Sequence, residues 1–160
     1  NPMLSKTQLI FDRNGAIGEL FAHKSDDQKE ILALMREYVA FEFINCSHKI
    51  RRSFVRKDAL QATQKLGLIR GIFFTAVRFV DSGELVHPHD ADKGLATKLS
   101  KDALNLVERS FPQPRLNQIT EAYNVMRASI LQFLTSSSGS SGDQMVDLVE
   151  SYAAVIGEED

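Results

Sequence analysis

Apolar residues recur at intervals of three and four from Ile31 to Phe54: Ile31, Met35, Val39, Phe43, Cys46, Ile50 and Phe54. That repeat marks one face of an α-helix. The stretch Ser25-Asp26-Asp27-Gln28 supplies its start, a serine followed three residues later by glutamine, with acids in the first turn. The pattern predicts a helix from 25 to about 56, roughly 45 Å long at ~1.5 Å per residue. A bend is expected near residues 45–47.

Asp58 and Gln61 repeat the capping spacing, and the chain to Val80 is apolar almost all round: Leu66, Leu68, Ile69, Ile72, Phe73, Phe74, Ala76, Val77, Phe79 and Val80. A helix apolar on every side is a central, buried one. Taken alone, residues 72–80 also suit a strand, but continuity from the cap at Asp58 favours helix. Gly83 suits the left-handed position past its end. Gly67 and Gly71 inside this helix suggest a close helix–helix approach.

Residues 84–92 read as a loop. Leu95, Leu99, Ala103, Val107 and Phe111 predict a third helix, broken near Ser100, and Pro112-Gln113-Pro114 stops it. Leu116, Ile119, Tyr123, Met126, Ile130 and Phe133 predict a fourth. Residues 135–142 read TSSSGSSG, a flexible composition. Met145, Leu148, Val149, Tyr152 and Ile156 then form the apolar stripe of a short acidic helix. The expected fold is all-α, an antiparallel bundle of about five helices around a largely buried central one. The expected organisation is an N-terminal segment (1–24) packing on the bundle, the bundle itself (25–135), a Ser/Gly linker (136–142) and an acidic amphipathic helix (143–160).

The composition changes little in this picture. At 160 residues, 43% hydrophobic and 25% charged, the chain can bury a core and is not of disordered type. Cys46 is the only cysteine, so an internal disulfide and a cysteine-based zinc site are excluded, and an intracellular setting, cytoplasmic or nuclear, is expected. The most apolar stretch carries Arg70 and Arg78, which argues against a membrane span, and no signal pattern begins the chain.

The charge distribution is more informative than the net charge of −2. Residues 48–78 carry eight basic side chains against Asp58 alone, whereas residues 135–160 carry six acids and no base. Lys49, Arg52 and Arg56 share a helix face, and Lys57 and Lys65 extend it. Such a face suits an acidic protein segment or nucleic-acid phosphates, although surface charge often has no partner. Arg70 and Arg78, within the buried helix, require ion partners, with Glu37, Glu42 or Asp81 as candidates.

Catalytic chemistry has no support. Cys46 lies on the apolar face, where thiols are packing groups. No phosphate-binding loop, nucleophile elbow or dinucleotide fingerprint occurs. His87 and His89 lack third and fourth metal ligands, and Asp90 or Asp92 reads more simply as a helix cap. Glu84 and His87 match the spacing of di-iron bundles but stand alone in a loop. Asp12, Asn14 and Gly15 resemble the middle of a calcium loop, but the end positions, Ile10 and Phe21, lack carboxylates. No cofactor, metal or membrane partner is expected.

The resulting expectation is a non-enzymatic protein-interaction domain binding an acidic amphipathic helix. Its groove would lie between helices 25–56 and 58–81, with Lys49, Ile50, Arg52, Phe54 and Arg56 as contacts. The ligand helix would be residues 143–160 in cis, or a partner's. Two alternatives are nucleic-acid binding through the basic 49–65 face, and a sensory bundle with a small-ligand cavity lined by Ile72, Phe73, Phe74 and Phe79.

Overall fold

The computed structural model describes residues 28–136 and 140–153, with six helices and no strand among them. The expectations for segment 1–24, the cap at Ser25, the calcium-like stretch, residues 137–139 and Ile156 lie outside the described residues. Two compact units divide the chain at residues 35 and 36. Of the first, only helical residues 28–35 are described; the second holds the bundle. The helices are α1 (Gln28–Val55), α2 (Ala59–Ser82), α3 (Leu95–Lys98), α4 (Lys101–Arg109), α5 (Leu116–Thr135) and α6 (Ser140–Ala153).

The turn between α1 and α2 is built by local chemistry. Lys57 adopts a left-handed φ of 54°. Its N–H donates to the Phe54 carbonyl, and the N–H of Asp58 donates to the Ser53 carbonyl. This pair of bonds is a Schellman ending, with lysine where glycine usually sits. Asp58 then caps α2, its carboxylate accepting from the Gln61 N–H at 2.9 Å. Ser53 Oγ donates to Gln61 Oε1 across the turn. Gly83, at φ 72°, ends α2 as expected.

Three sets of contacts set the topology. Arg36 at the start of the bundle part of α1 donates to the Phe133 carbonyl near the end of α5. Eleven residues on, Ser47 meets Tyr123. Thus α1 and α5 run antiparallel. Phe79 near the end of α2 packs edge-on against Phe133, so α2 and α5, which pack extensively on each other, run parallel. The connection between them makes this feasible. Asp81 binds Ser100 at the start of α4, and Arg70 binds Ser110 just past its end, so α4 returns the chain along α2. Sequence neighbours are antiparallel, and the long connection produces the parallel central pair.

The core comprises Val39, Phe43, Cys46 and Ile50 of α1, Leu66, Ile69, Phe73 and Ala76 of α2, and Ile119, Met126, Ile130 and Phe133 of α5. The central helix is not buried all round: Leu60, Leu68 and Val80 are exposed. The predicted third helix is two helices, α3 and α4, and Ser100 caps the second by accepting from the Ala103 N–H. The expected cap at Asp90 or Asp92 is not made: Gly94 precedes α3, and Asp90 instead pairs with Lys93 in the preceding turn. Gly71 serves a loop, not a helix. A Cβ there would lie 3.2 Å from the Pro88 carbonyl oxygen, so glycine lets the 84–94 segment lie on α2. Among the described residues no helix is long and apolar enough to cross a membrane.

Candidate functional site

The seat of α6 is fixed at both ends. Arg36 Nη2 donates to Ser136 Oγ at 3.0 Å, which holds the chain beside α1 just before α6. The Tyr152 ring then lies edge-on to His48, with centroids 6.3 Å apart. From Ser136 to Tyr152 the chain therefore advances in step with α1 from Arg36 to His48. α6 packs on α5 and runs along α1 in the same direction.

Among the described residues of α6, one is fully buried. Val149 has no exposed surface, while Leu148 and Tyr152 of the predicted apolar stripe are 47% and 58% exposed. Met145 is half-buried, and Asp143, Asp147 and Glu150 face solvent. α6 begins at Ser140, inside the Ser/Gly stretch, and not at 143.

The groove expected between α1 and α2 is not where α6 lies; its seat is formed by α1 and α5. The Lys57 turn joins α1 directly to α2, whereas α6 starts a few residues after α5 ends. Ile50, expected as a contact on the groove floor, is fully buried in the core. Phe54 is half-buried, and Lys49, Arg52 and Arg56 are exposed. At the C-terminal end of α1, Arg51, Arg52, Val55 and Arg56 line a surface depression of about 360 Å³.

The arginines of α2 find partners other than those expected. Arg78 is 2% exposed, and its Nη2 lies 2.6 Å from Glu84 Oε2. Its Nη1 donates to the carbonyls of Lys93 at 3.0 Å and Ala91 at 3.4 Å. Arg78 thus ties both ends of the 84–94 segment to α2. Arg70 stacks over the Phe111 ring at 4.3 Å and donates to the Ser110 carbonyl. Asp81 holds Ser100, whose hydroxyl and amide bonds keep its carboxyl below the usual range.

The remaining candidates have structural roles. Glu84 holds Arg78 and Lys98. His87 stacks on His89, with centroids 5.3 Å apart, and its Nδ1 accepts the His89 N–H. Burial holds the His87 imidazole below its ordinary pKa, and the His89 charge adds to this. No group of three metal-ligating side chains occurs among the described residues. Cys46 is buried, and desolvation pushes its thiol up, followed by the influence of Glu42. Ile72, Phe73 and Phe74 are buried, and Phe79 is packed on Phe133. A groove that the sequence did not signal runs between α4 and α5, about 610 Å³ in volume, past Leu106, Asn124 and Ala128. Apart from Leu106 and Val125 its residues are polar or small, so no apolar periodicity distinguishes them from an ordinary solvated face.

No protein-family model, curated protein or solved structure matches the chain.

Proposed function

We propose that this chain is a non-enzymatic helical interaction domain whose α1–α5 surface binds an acidic amphipathic helix, with α6 as its occupant in cis. The supporting observation is the seat of α6: one sealed valine, an aromatic contact at His48, and an outer face carrying Asp143, Asp147 and Glu150. Burying one valine contributes about 1.5–3 kcal/mol. That is too little for a tight bimolecular complex. It suffices for a tethered helix, whose effective concentration is on the order of millimolar. The arrangement therefore favours an exchangeable occupant. Lys49, Arg52 and Arg56 contribute orientation and association rate, as exposed charges at a rim do.

The test removes residues 137–160 and adds a fluorescent peptide of residues 140–160 to the truncated domain. Saturable binding that is lost with Val149→Asp in the peptide is the expected outcome. A folded truncated domain that ignores the peptide at millimolar concentration refutes the reading. Exposure of Lys49, Arg52 and Arg56 along one face supports nucleic-acid binding as a second reading. Affinity for a generic oligonucleotide that falls steeply with salt would favour it.

A further inference from the structure

Arg127 brings an unmet hydrogen-bond donor to the surface that α6 covers. Its Nε is buried and has no hydrogen-bond partner. Among the described residues no carboxylate forms an ion pair with its guanidinium. Arg127 follows Tyr123 by four residues, so the two share a face of α5. That face borders α1, because the Tyr123 hydroxyl meets Ser47. Burial pushes the Tyr123 phenol up, and the Ser47 bond and the nearby Arg127 charge act against that rise. The other flanks of α5 are used differently: Val125 and Ser129 line the groove beside α4, and Asn117, Glu121, Asn124 and Gln132 are exposed. α6 packs on α5 and runs along α1, so the flank it covers is that of Arg127.

α6 turns no acid towards this guanidinium. Met145 and Val146 are half-buried and Val149 is sealed, whereas Asp143, Asp147 and Glu150 face solvent. Tyr152, three residues after Val149, meets α1. Val146, three residues before it, lies on the opposite side of Val149, which is the α5 side. The heights agree. Tyr152 is level with His48, and Ser47 is level with Tyr123. Val146 is six residues back from Tyr152, about 9 Å. Because α6 and α5 run antiparallel, that places Val146 within about a residue of the level of Arg127.

We infer that Arg127 is a specificity-determining residue of the α1–α5 seat, selecting an acidic helix that carries a carboxylate where α6 carries Val146. The inference rests on the reading of the seat as a site for exchangeable helices, and it names the chemistry that ranks them. A carboxylate there accepts from the guanidinium and satisfies the buried Nε, a charge-assisted bond that valine cannot make. α6 is then the weaker occupant, which a matched partner helix displaces.

The experiment compares V146E with V146Q in the full chain, since glutamine matches glutamate in size without its charge. Hydrogen exchange of residues 145–150 reads how firmly α6 is seated. The expected result is about tenfold greater protection in V146E than in V146Q, the scale of one charge-assisted hydrogen bond at a partly exposed site. The difference should vanish in Arg127→Met. Arg127→Gln gives the same comparison if methionine unfolds the bundle. M145E, on the α1 side, should gain nothing over M145Q. A synthetic 140–160 peptide carrying V146E should release α6 of the parent chain at concentrations where the unaltered peptide does not. Equal protection in V146E and V146Q, or a difference that persists without Arg127, overturns the inference while protection in the parent chain leaves the seat standing. Absence of protection in the parent chain and in every variant refutes the seat and the inference together.

Discussion

Arg78→Met is the substitution that most directly tests how the bundle is held. Arg78 is 2% exposed and binds Glu84 together with the carbonyls of Ala91 and Lys93. Methionine has a similar reach and fills the same space, so a cavity is a minor part of the change. The loss falls on the acceptors. Ala91 is fully buried, and a buried carbonyl left without a donor costs about 1–3 kcal/mol. Removing Nε, which is buried without a partner, returns part of that cost. The net expectation is a loss of about 2–4 kcal/mol, roughly 10 °C in melting temperature for a domain of this size. Urea unfolding followed by circular dichroism measures it, and hydrogen exchange should show faster opening of residues 84–94. Glu84→Gln keeps an acceptor for Arg78 and should shift stability less. The Arg78 hydrogen bond holds the Glu84 carboxyl below its ordinary range. The stability from this pair is therefore present above the ordinary carboxylate pKa and lost as pH falls through the lower folded value. Arg78→Met should remove that acid limb. An Arg78→Met protein within about 0.5 kcal/mol of the parent would refute the anchoring role.

Two further outcomes follow from backbone and hydroxyl chemistry. Lys57→Gly relieves the left-handed φ of 54° and should raise stability by about 0.5–1 kcal/mol in chemical denaturation, glycine's extra freedom in the unfolded chain offsetting part of the gain. Tyr123 stacks on Phe43 and bonds to Ser47, and burial pushes its phenol up to about 12. Its neutral form is the stabilising one, so stability is held below the ordinary phenol value of 10 and lost as pH rises towards 12. Tyr123→Phe should cost about 1 kcal/mol at neutral pH and flatten that alkaline limb.

Much of the helical skeleton was legible in the chain. Asp58 with Gln61, Gly83, Ser100 and the Pro112–Pro114 stop each act over a few residues, so local chemistry suffices to place them. Lys57 was not legible as a helix end, because the signal for a left-handed cap is glycine. The partners of Arg70 and Arg78 were missed for a different reason. Their acceptors are mostly backbone carbonyls on the 84–94 segment and at Ser110, and every residue has a carbonyl, so sequence cannot single these out. At the candidate site the acidic helix and the basic face were readable as charge patterns, and Val149 was one member of the predicted stripe. That Val149 is the sealed member of the stripe among the described residues, and that Ile50 belongs to the core, depends on which helix faces meet.

By itself, the sequence determined what neighbours along the chain decide: the period of each helix, where it begins and stops, and which face is apolar. Tertiary structure decided which faces meet. The connection through α3 and α4 carries the chain back along α2, so α2 and α5 lie parallel, and the end of α5 delivers α6 onto α1 and α5. The physical reason is range. Capping bonds and helical periodicity span three or four residues, whereas the pairing of Arg36 with Ser136 joins positions a hundred residues apart, and only the folded chain brings them together.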